Sequence, residues 1–213
     1  MNDYRKMKVF IRGLLEEVTG SHARDHAERV WRLCEKIGAG EGADLEILEL
    51  AAFLHDIGRG EEKASGGKVC HARAGAEKAR GILEEQGCPP ETVNRVTHCI
   101  ATHRFRGENS RPRTLEARVL FDADKLDALG AVGVGRAFLF AGEVGARLHN
   151  PEVDLEKTRS YSREDTAYRE FSVKLRKIRD RMLTETGKRM AEDRHAFMVS
   201  FFQRLNREVV GDC

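Results

Sequence analysis

The chain places a histidine and an aspartate side by side at the end of its most apolar segment. This segment, ILELAAFLHDIG, begins at Ile47 and ends at Gly58, and its doublet is His55-Asp56. An ionised carboxylate beside a buried face costs far more free energy than one packing contact returns, unless a partner neutralises it. Asp56 could cap a backbone amide and His55 could be a hydrogen-bonded core histidine, or the pair could serve a functional site. The doublet alone leaves both interpretations open.

Further ligand-type side chains share helix faces with apolar residues. His26, His103 and Asp124 each fall on the apolar stripe of their own predicted helix, whereas His98 points elsewhere. Together with the doublet, four helices therefore aim histidine or aspartate inward. One metal ion explains all of them, because a cation neutralises a buried carboxylate and accepts imidazole nitrogen. The alternative, separately satisfied core residues, needs four independent coincidences.

The segments that must position these groups are helical in pattern. Nearly all have helical periodicity and none has a sustained period of two, so we predict an all-α protein. The first 129 residues predict helices near 4–18, 22–37, 44–57, 71–86, 90–103 and 114–129, with a glycine-rich loop at 58–67. Beyond Pro151 two long helices are expected, one with Phe171 and Met182 and the other with Met190 and Leu205. The absence of any long linker predicts a single domain over 1–213.

Composition narrows the class of protein. The 213 residues are 40% hydrophobic and 34% charged, which is typical of a globular chain. With 37 basic and 35 acidic residues, a net charge of +2 argues against a duplex-DNA binder. Five cysteines without a Cys-x-x-Cys pair favour a reducing compartment, and no apolar run resembles a signal peptide or a membrane span. We expect a cytoplasmic protein with no membrane partner.

The order of the inward-facing residues resembles a known family. His26, His55-Asp56 and Asp124 match the H…HD…D signature of the HD-domain metal-dependent phosphohydrolase superfamily. The surrounding SHARDHAERVWRL, ELAAFLHDIG and DADKLDALGAVGVGRAF are similar to a largely uncharacterised bacterial and archaeal branch of HD hydrolases. The resemblance implies a single HD-domain helical bundle, with a core at about 20–140 and a C-terminal helical extension at about 151–210.

The resemblance also implies a ligand set for one metal ion, comprising His26, His55, Asp56 and Asp124. Asp124 is preferred because Ala123 precedes it and Lys125 follows it, as in the family's pattern. Asp122 is the alternative ligand, and Asp127, one turn on, is expected to act catalytically by orienting a ligand. Two nitrogens with carboxylate oxygens suit Mn, Fe, Co, Ni or Zn better than Mg.

Additional histidines and arginines extend this expectation. Some members of the superfamily hold two ions, and His71 and His103 occupy the places where the extra histidines stand. Both could instead contact phosphate, donate a proton or be inert helix-end histidines. His22 could line the pocket, orient His26 or be an exposed histidine without a role in the site. Basic residues are suited to phosphate recognition. Those expected near the substrate are Arg59 after HDIG, and Arg104 and Arg106 near the end of the helix of His103.

The resemblance therefore implies a metal-dependent phosphohydrolase in which Asp56, His55, Asp127 and Arg59 carry catalysis. The sequence has neither the GYP segment of the cyclic-dinucleotide phosphodiesterases nor the acidic pair of the alarmone hydrolases, and it is short for a deoxynucleoside triphosphohydrolase. The remaining substrate class is a small phosphate ester, in particular a nucleotide. A non-catalytic module that binds a phosphorylated ligand or a partner protein is the alternative. A homodimer could form through the apolar cluster of Phe197, Met198, Phe201 and Phe202, although such a cluster is equally typical of a core.

Overall fold

The computed structural model describes residues 9–11, 13, 20–104 and 111–212, apart from the side chains of 20–23. Predictions for Arg106 and for the His22 side chain lie outside the described residues. From Gly20 onward the described chain forms nine α-helices and no β-strand, which confirms the all-α prediction. The helices are α1 Gly20–Glu41, α2 Leu45–Leu54, α3 Arg59–Ala64, α4 His71–Glu85, α5 Pro90–Thr102, α6 Leu115–Leu126, α7 Gly130–Glu143, α8 Ala167–Val173 and α9 Glu185–Val209.

The chain divides into two compact units, residues 1–124 and 125–213. In the first unit α2 packs against α1 and α5, and α4 packs against α3 and α5. Every residue of α2 from Ile47 to Leu54 is buried, as expected of the apolar segment. Asp44 caps this helix by accepting hydrogen bonds from the amides of Glu46 and Ile47. The description of 1–213 as one domain stays a prediction.

The glycine-rich segment after the His-Asp doublet is not the loop that its composition predicts. It contains the short helix α3, which begins immediately after Gly58. A Cβ atom at Gly58 would lie 2.3 Å from the carbonyl oxygen of His71 and 2.5 Å from the amide nitrogen of Gly75. Glycine therefore allows the chain after the doublet to contact the first turns of α4 directly, and this contact brings His71 close to Asp56.

The second unit begins with a helix break that the periodicity does not predict. The sequence predicts a helix that continues to about 129, but α6 ends at Leu126. Gly130 has a φ of +72°, which favours glycine, and it begins the separate helix α7. The predicted helix end near 129 is wrong because the chain turns after Leu126.

Only one of the two long helices expected beyond 151 is continuous. The structure forms α9 as a 25-residue helix, whereas α8 ends at Val173 and is followed by 3₁₀ turns at Leu175–Lys177 and Arg179–Arg181. Leu175 and Ile178 are both buried, and their spacing of three suits a 3₁₀ turn, in which such residues lie on one side.

The apolar cluster on α9 is divided between core and surface. Met198 and Phe202 are buried, and the Phe202 ring stacks on Phe171 with centroids 4.5 Å apart. Phe197 remains 48% exposed. Of the cluster considered for a homodimer, Met198 and Phe202 thus belong to the core of this unit.

Two further features concern the length of the helices and the state of the cysteines. Within the described ranges, no helix combines the length and apolarity needed to cross a bilayer. Cys34, Cys70, Cys88 and Cys99 are all free thiols.

The Gly58 contact generates a stability prediction. Gly58→Ala should lower the free energy of unfolding by about 1–3 kcal/mol, because the added methyl meets backbone atoms that cannot move independently. Gly60→Ala, two residues on in α3, is the control: its Cβ meets nothing within 4 Å, and alanine favours a helix. Chemical denaturation followed by circular dichroism measures both, and equal stabilities for the two variants would contradict the close contact.

Candidate metal centre

Three side chains from α1 and the end of α2 converge on one point. His26 lies on α1, His55 is the C-terminal cap of α2, and Asp56 follows it. The Nε2 atoms of the two histidines are 3.2 Å apart, and the Asp56 Oδ2 atom lies 3.7 Å from that of His26 and 3.6 Å from that of His55. All three ligand atoms lie within 4.8 Å of one another, so we call this group the first triad.

An aspartate on α6 approaches the first triad. The Oδ1 atom of Asp124 lies 3.5 Å from Nε2 of His26. Asp122 is also buried, but it cannot face His26 from the same side of the helix. Two residues of an α-helix that are two positions apart are separated by about 200° around the helix axis. The geometry therefore favours Asp124 over Asp122 as the aspartate that faces His26.

Asp56 also belongs to a second triad, with His71 and His103. Its Oδ1 atom lies 3.5 Å from Nε2 of His71 and 3.7 Å from Nε2 of His103. The two Nε2 atoms are 3.2 Å apart, and all three ligand atoms again lie within 4.8 Å of one another. Asp56 thus directs one carboxylate oxygen to each triad. Of the roles left open for His71 and His103, this arrangement favours metal binding.

In three of these histidines, the ring nitrogen that points away from the triad, Nδ1, forms a hydrogen bond with an oxygen acceptor. Nδ1 of His55 lies 2.7 Å from the Ala52 carbonyl oxygen, and Nδ1 of His103 lies 2.7 Å from that of Ile100. Nδ1 of His71 lies 2.8 Å from a carboxylate oxygen of Glu62. Because carbonyl and carboxylate oxygens only accept, these bonds assign the proton to Nδ1 in each neutral ring. Each Nε2 then presents a lone pair to its triad.

The second triad in particular fits a cation. Nε2 of His71, Nε2 of His103 and Oδ1 of Asp56 are all acceptors, and they face one another. The Oδ1 atom of Asp56 is buried and receives no hydrogen bond from the described residues. An unsatisfied buried carboxylate oxygen is costly, and facing lone pairs repel. A divalent cation bound by nitrogen and oxygen would satisfy all three atoms.

The charges around Asp56 favour its ionised form. Burial by itself would raise the pKa of Asp56, but His55, the guanidinium of Arg59 and His103 outweigh it and hold that pKa well below its usual range. Nε of Arg59 lies 2.7 Å from Oδ2 of Asp56. Burial, reinforced by His55 and opposed by Asp124, lowers the pKa of His103 to about 3. The centre therefore combines an ionised carboxylate with the neutral imidazole of His103, and these are the states that bind metals.

A carboxylate that sequence reasoning missed contacts a histidine of the second triad. Glu62, on α3, accepts hydrogen bonds from His71 and from Arg104. The signal available in the sequence was the spacing of three between Arg59 and Glu62, which places both on one helix face. The four glycines around them indicated a loop and concealed that spacing.

Asp127 lies in the second unit. Its buried carboxylate accepts a hydrogen bond of 2.6 Å from Nη1 of Arg136 on α7. The catalytic, ligand-orienting role expected for Asp127 stays a prediction.

The chain is similar to several known proteins along most of its length. A family model described as the HD domain matches residues 24–129. The uncharacterised protein YpgQ of Bacillus subtilis is 32% identical over 97% of this chain and 93% of its own length. The crystal structure of YpgQ in complex with ADP has a TM-score of 0.75 at 33% identity, covering 97% of this chain and 96% of that one. An HD-superfamily hydrolase from Bacillus thuringiensis has a TM-score of 0.75 at 29% identity, with 97% and 96% covered.

The lowered pKa of His103 generates a prediction for the cation-free protein. His103 takes up a proton near pH 6.5 when unfolded and only near pH 3 when folded, so the unfolded chain binds more protons between these values. The free energy of unfolding should therefore decrease as the pH falls from about 6.5 towards 3, and Asp56 adds to this loss below its ordinary pKa. Denaturation of chelator-treated protein at several pH values measures the slope.

The variant His103→Asn should show a shallower slope between pH 6.5 and 4.5. His98→Asn is the control, since His98 is less buried than His103 and its removal should change the slope less. Identical slopes for the wild type and His103→Asn would contradict the prediction.

Proposed function

Since this chain belongs to the HD domain family, we propose that it is a metal-dependent phosphohydrolase acting on a small phosphate ester, with nucleotides as the substrate class. The observation that carries the proposal is the Asp56 carboxylate, which directs one oxygen to each of two histidine-containing triads. A carboxylate placed in this way could serve a centre of one ion or of two adjacent ions. The donor atoms of the two triads favour a centre of two ions.

The proposed ligands follow the two triads. His26, His55, Asp56 and Asp124 would hold the first ion, and Asp56, His71 and His103 would hold the second. Sets that combine two imidazole nitrogens with carboxylate oxygens suit Mn, Fe, Co, Ni or Zn better than Mg. When bound, such an ion supplies a Lewis acid that polarises a phosphoryl oxygen and acidifies coordinated water.

The chain's own residues would orient and neutralise the reacting groups. Backbone bonds at Nδ1 fix the rings of His55 and His103, so that neither imidazole must reorient when a ligand arrives. Arg59 and Arg104 lie at the solvent side, with 53% and 25% of their side chains exposed. Both guanidinium groups can form paired hydrogen bonds with phosphate oxygens, so we assign them to substrate binding.

The nucleotide class rests on a relative. YpgQ has been crystallised with ADP, and YpgQ shares the fold of this chain along nearly its whole length. The same ligand would bring anionic phosphates to Arg59 and Arg104.

The proposal also includes a cytoplasmic location, with which the free thiols agree. It further includes a homodimer that forms through the exposed Phe197 side of α9, and light scattering would measure this oligomeric state.

The central test is hydrolysis by the Mn-loaded protein. We expect release of phosphate or pyrophosphate from at least one member of a panel of nucleotides and sugar phosphates. Asp56→Ala should reduce turnover about 100-fold or more, because both triads lose their shared ligand. Glu77→Ala, an exposed carboxylate on α4, is the control and should retain activity. Thermal stabilisation by a nucleotide without any product would instead support a non-catalytic binding module.

Arg59 provides a separate test of substrate binding. Arg59→Ala should raise KM for the active phosphate ester about tenfold and change kcat less, because one charge-assisted hydrogen bond is lost. Lys63→Ala, which removes an exposed cation from the same helix, should leave KM within about twofold of the wild type. If both variants change KM equally, Arg59 acts only through the general charge of the surface.

A further inference from the structure

Glu62 lies where the second triad meets the basic side chains. Its Oε2 atom is 2.8 Å from Nδ1 of His71, and its Oε1 atom accepts a hydrogen bond from Nη1 of Arg104. Nη1 of Arg59 is 3.9 Å from Oε2. One carboxylate, with its side chain 20% exposed, thus contacts a histidine of the proposed centre and two arginines assigned to phosphate.

His71 depends on such a partner because of its place in the fold. His55 and His103 cap the C-terminal ends of their helices, where the carbonyl oxygen three residues earlier accepts from Nδ1. His71 is the first residue of α4, so the preceding turn offers it no helical carbonyl. The carboxylate of Glu62, supplied by α3, takes that place.

The carboxylate also separates two donors. Nη1 of Arg104 lies 3.3 Å from Nδ1 of His71, and both atoms carry hydrogen when Nδ1 is protonated. The contact of Nδ1 with Glu62 is shorter than that with Arg104, so the proton points to the carboxylate. Without Glu62, the imidazole and the guanidinium would face each other without an acceptor, and one of them would have to turn away.

We propose that Glu62 is a positioning residue that holds His71 ready for a divalent cation at the second triad and fixes Arg104 for the phosphate of the substrate. The proposal rests on the function proposed above. A carboxylate that accepts from the far nitrogen of a metal-binding imidazole fixes its orientation and increases its basicity. Glu62 therefore couples cation affinity at the second triad to the position of an anion-binding arginine.

The neighbouring residue offers a matched control. Glu61 stands on the same short helix with the same side chain, is 37% exposed, and pairs with Lys78 away from both triads. Exposed ion pairs of this kind contribute little to stability. Glu62→Gln and Glu61→Gln remove the same charge one residue apart, so a difference between them reports on the contacts of Glu62.

The experiment is a titration of each full-length protein with Mn²⁺, followed by calorimetry and by electron paramagnetic resonance. We expect the wild type to bind two ions per chain with the exchange-coupled signal of adjacent Mn²⁺. In Glu62→Gln the second ion should bind about 10–100-fold more weakly, with the first within about twofold of the wild type. The coupled signal should give way to that of isolated Mn²⁺, and Glu61→Gln should match the wild type.

A phosphate arm tests the second half of the proposal. Inorganic phosphate added to the Mn-saturated protein should bind more weakly to Glu62→Gln than to Glu61→Gln. Circular dichroism establishes folding first, and Glu62→Asp repeats every measurement. Aspartate keeps the charge but is one methylene shorter and cannot span both partners, so it should weaken the second ion as well.

Each of the other outcomes of the Mn²⁺ titration would contradict a specific part of the proposal. Unchanged binding of both ions in Glu62→Gln and Glu62→Asp, or an equal loss at both positions, would overturn the positioning role. A wild type that binds one ion would overturn it too, while leaving the proposed hydrolase intact. A wild type that binds no ion would remove the proposed function itself.

Discussion

The burial of the Asp56 carboxylate is the constraint on which the first unit depends. This side chain is ionised, largely removed from water, and surrounded by Nε2 atoms of four histidines at 3.5–3.7 Å. One of its oxygens accepts no hydrogen bond from the described residues. Such an arrangement is expensive unless positive charge is brought to it. Helices α1, α2, α4 and α5 each contribute an imidazole, and their packing is what keeps these groups together.

The fold meets this constraint by fixing rigid helix ends around an apolar helix. All of α2 from Ile47 onward is buried, so the doublet that follows it begins from a fixed point. His55 and His103 both follow the last residue of a helix, where the helix's own carbonyl oxygens set the orientation of the ring. The contact of Gly58 with α4 then places His71, the histidine without such a carbonyl, opposite Asp56. Backbone geometry therefore orients most of the centre before any ligand arrives.

The charged side chains divide into two layers. Asp56 and Asp124 face the imidazoles, whereas Arg59, Glu62 and Arg104 form an outer layer that reaches solvent. This order suits a reaction in which an anionic substrate approaches from outside and meets positive charge first. The chain belongs to the HD domain family, and its relative YpgQ has been crystallised in complex with ADP.

The sequence by itself determined the helical class, the buried helix α2 and the inward faces of His26, His103 and Asp124, because apolar periodicity depends only on neighbours along the chain. It did not determine that Asp56 would face two triads, that α3 would form among glycines, or that Glu62 would contact His71. These contacts join residues on separate helices, and the close approach of Gly58 to α4 is what brings His71 to Asp56 and Glu62. The end of α6 at Leu126 and the broken helix after Val173 were also decided in three dimensions, since local propensity there favoured continuous helices.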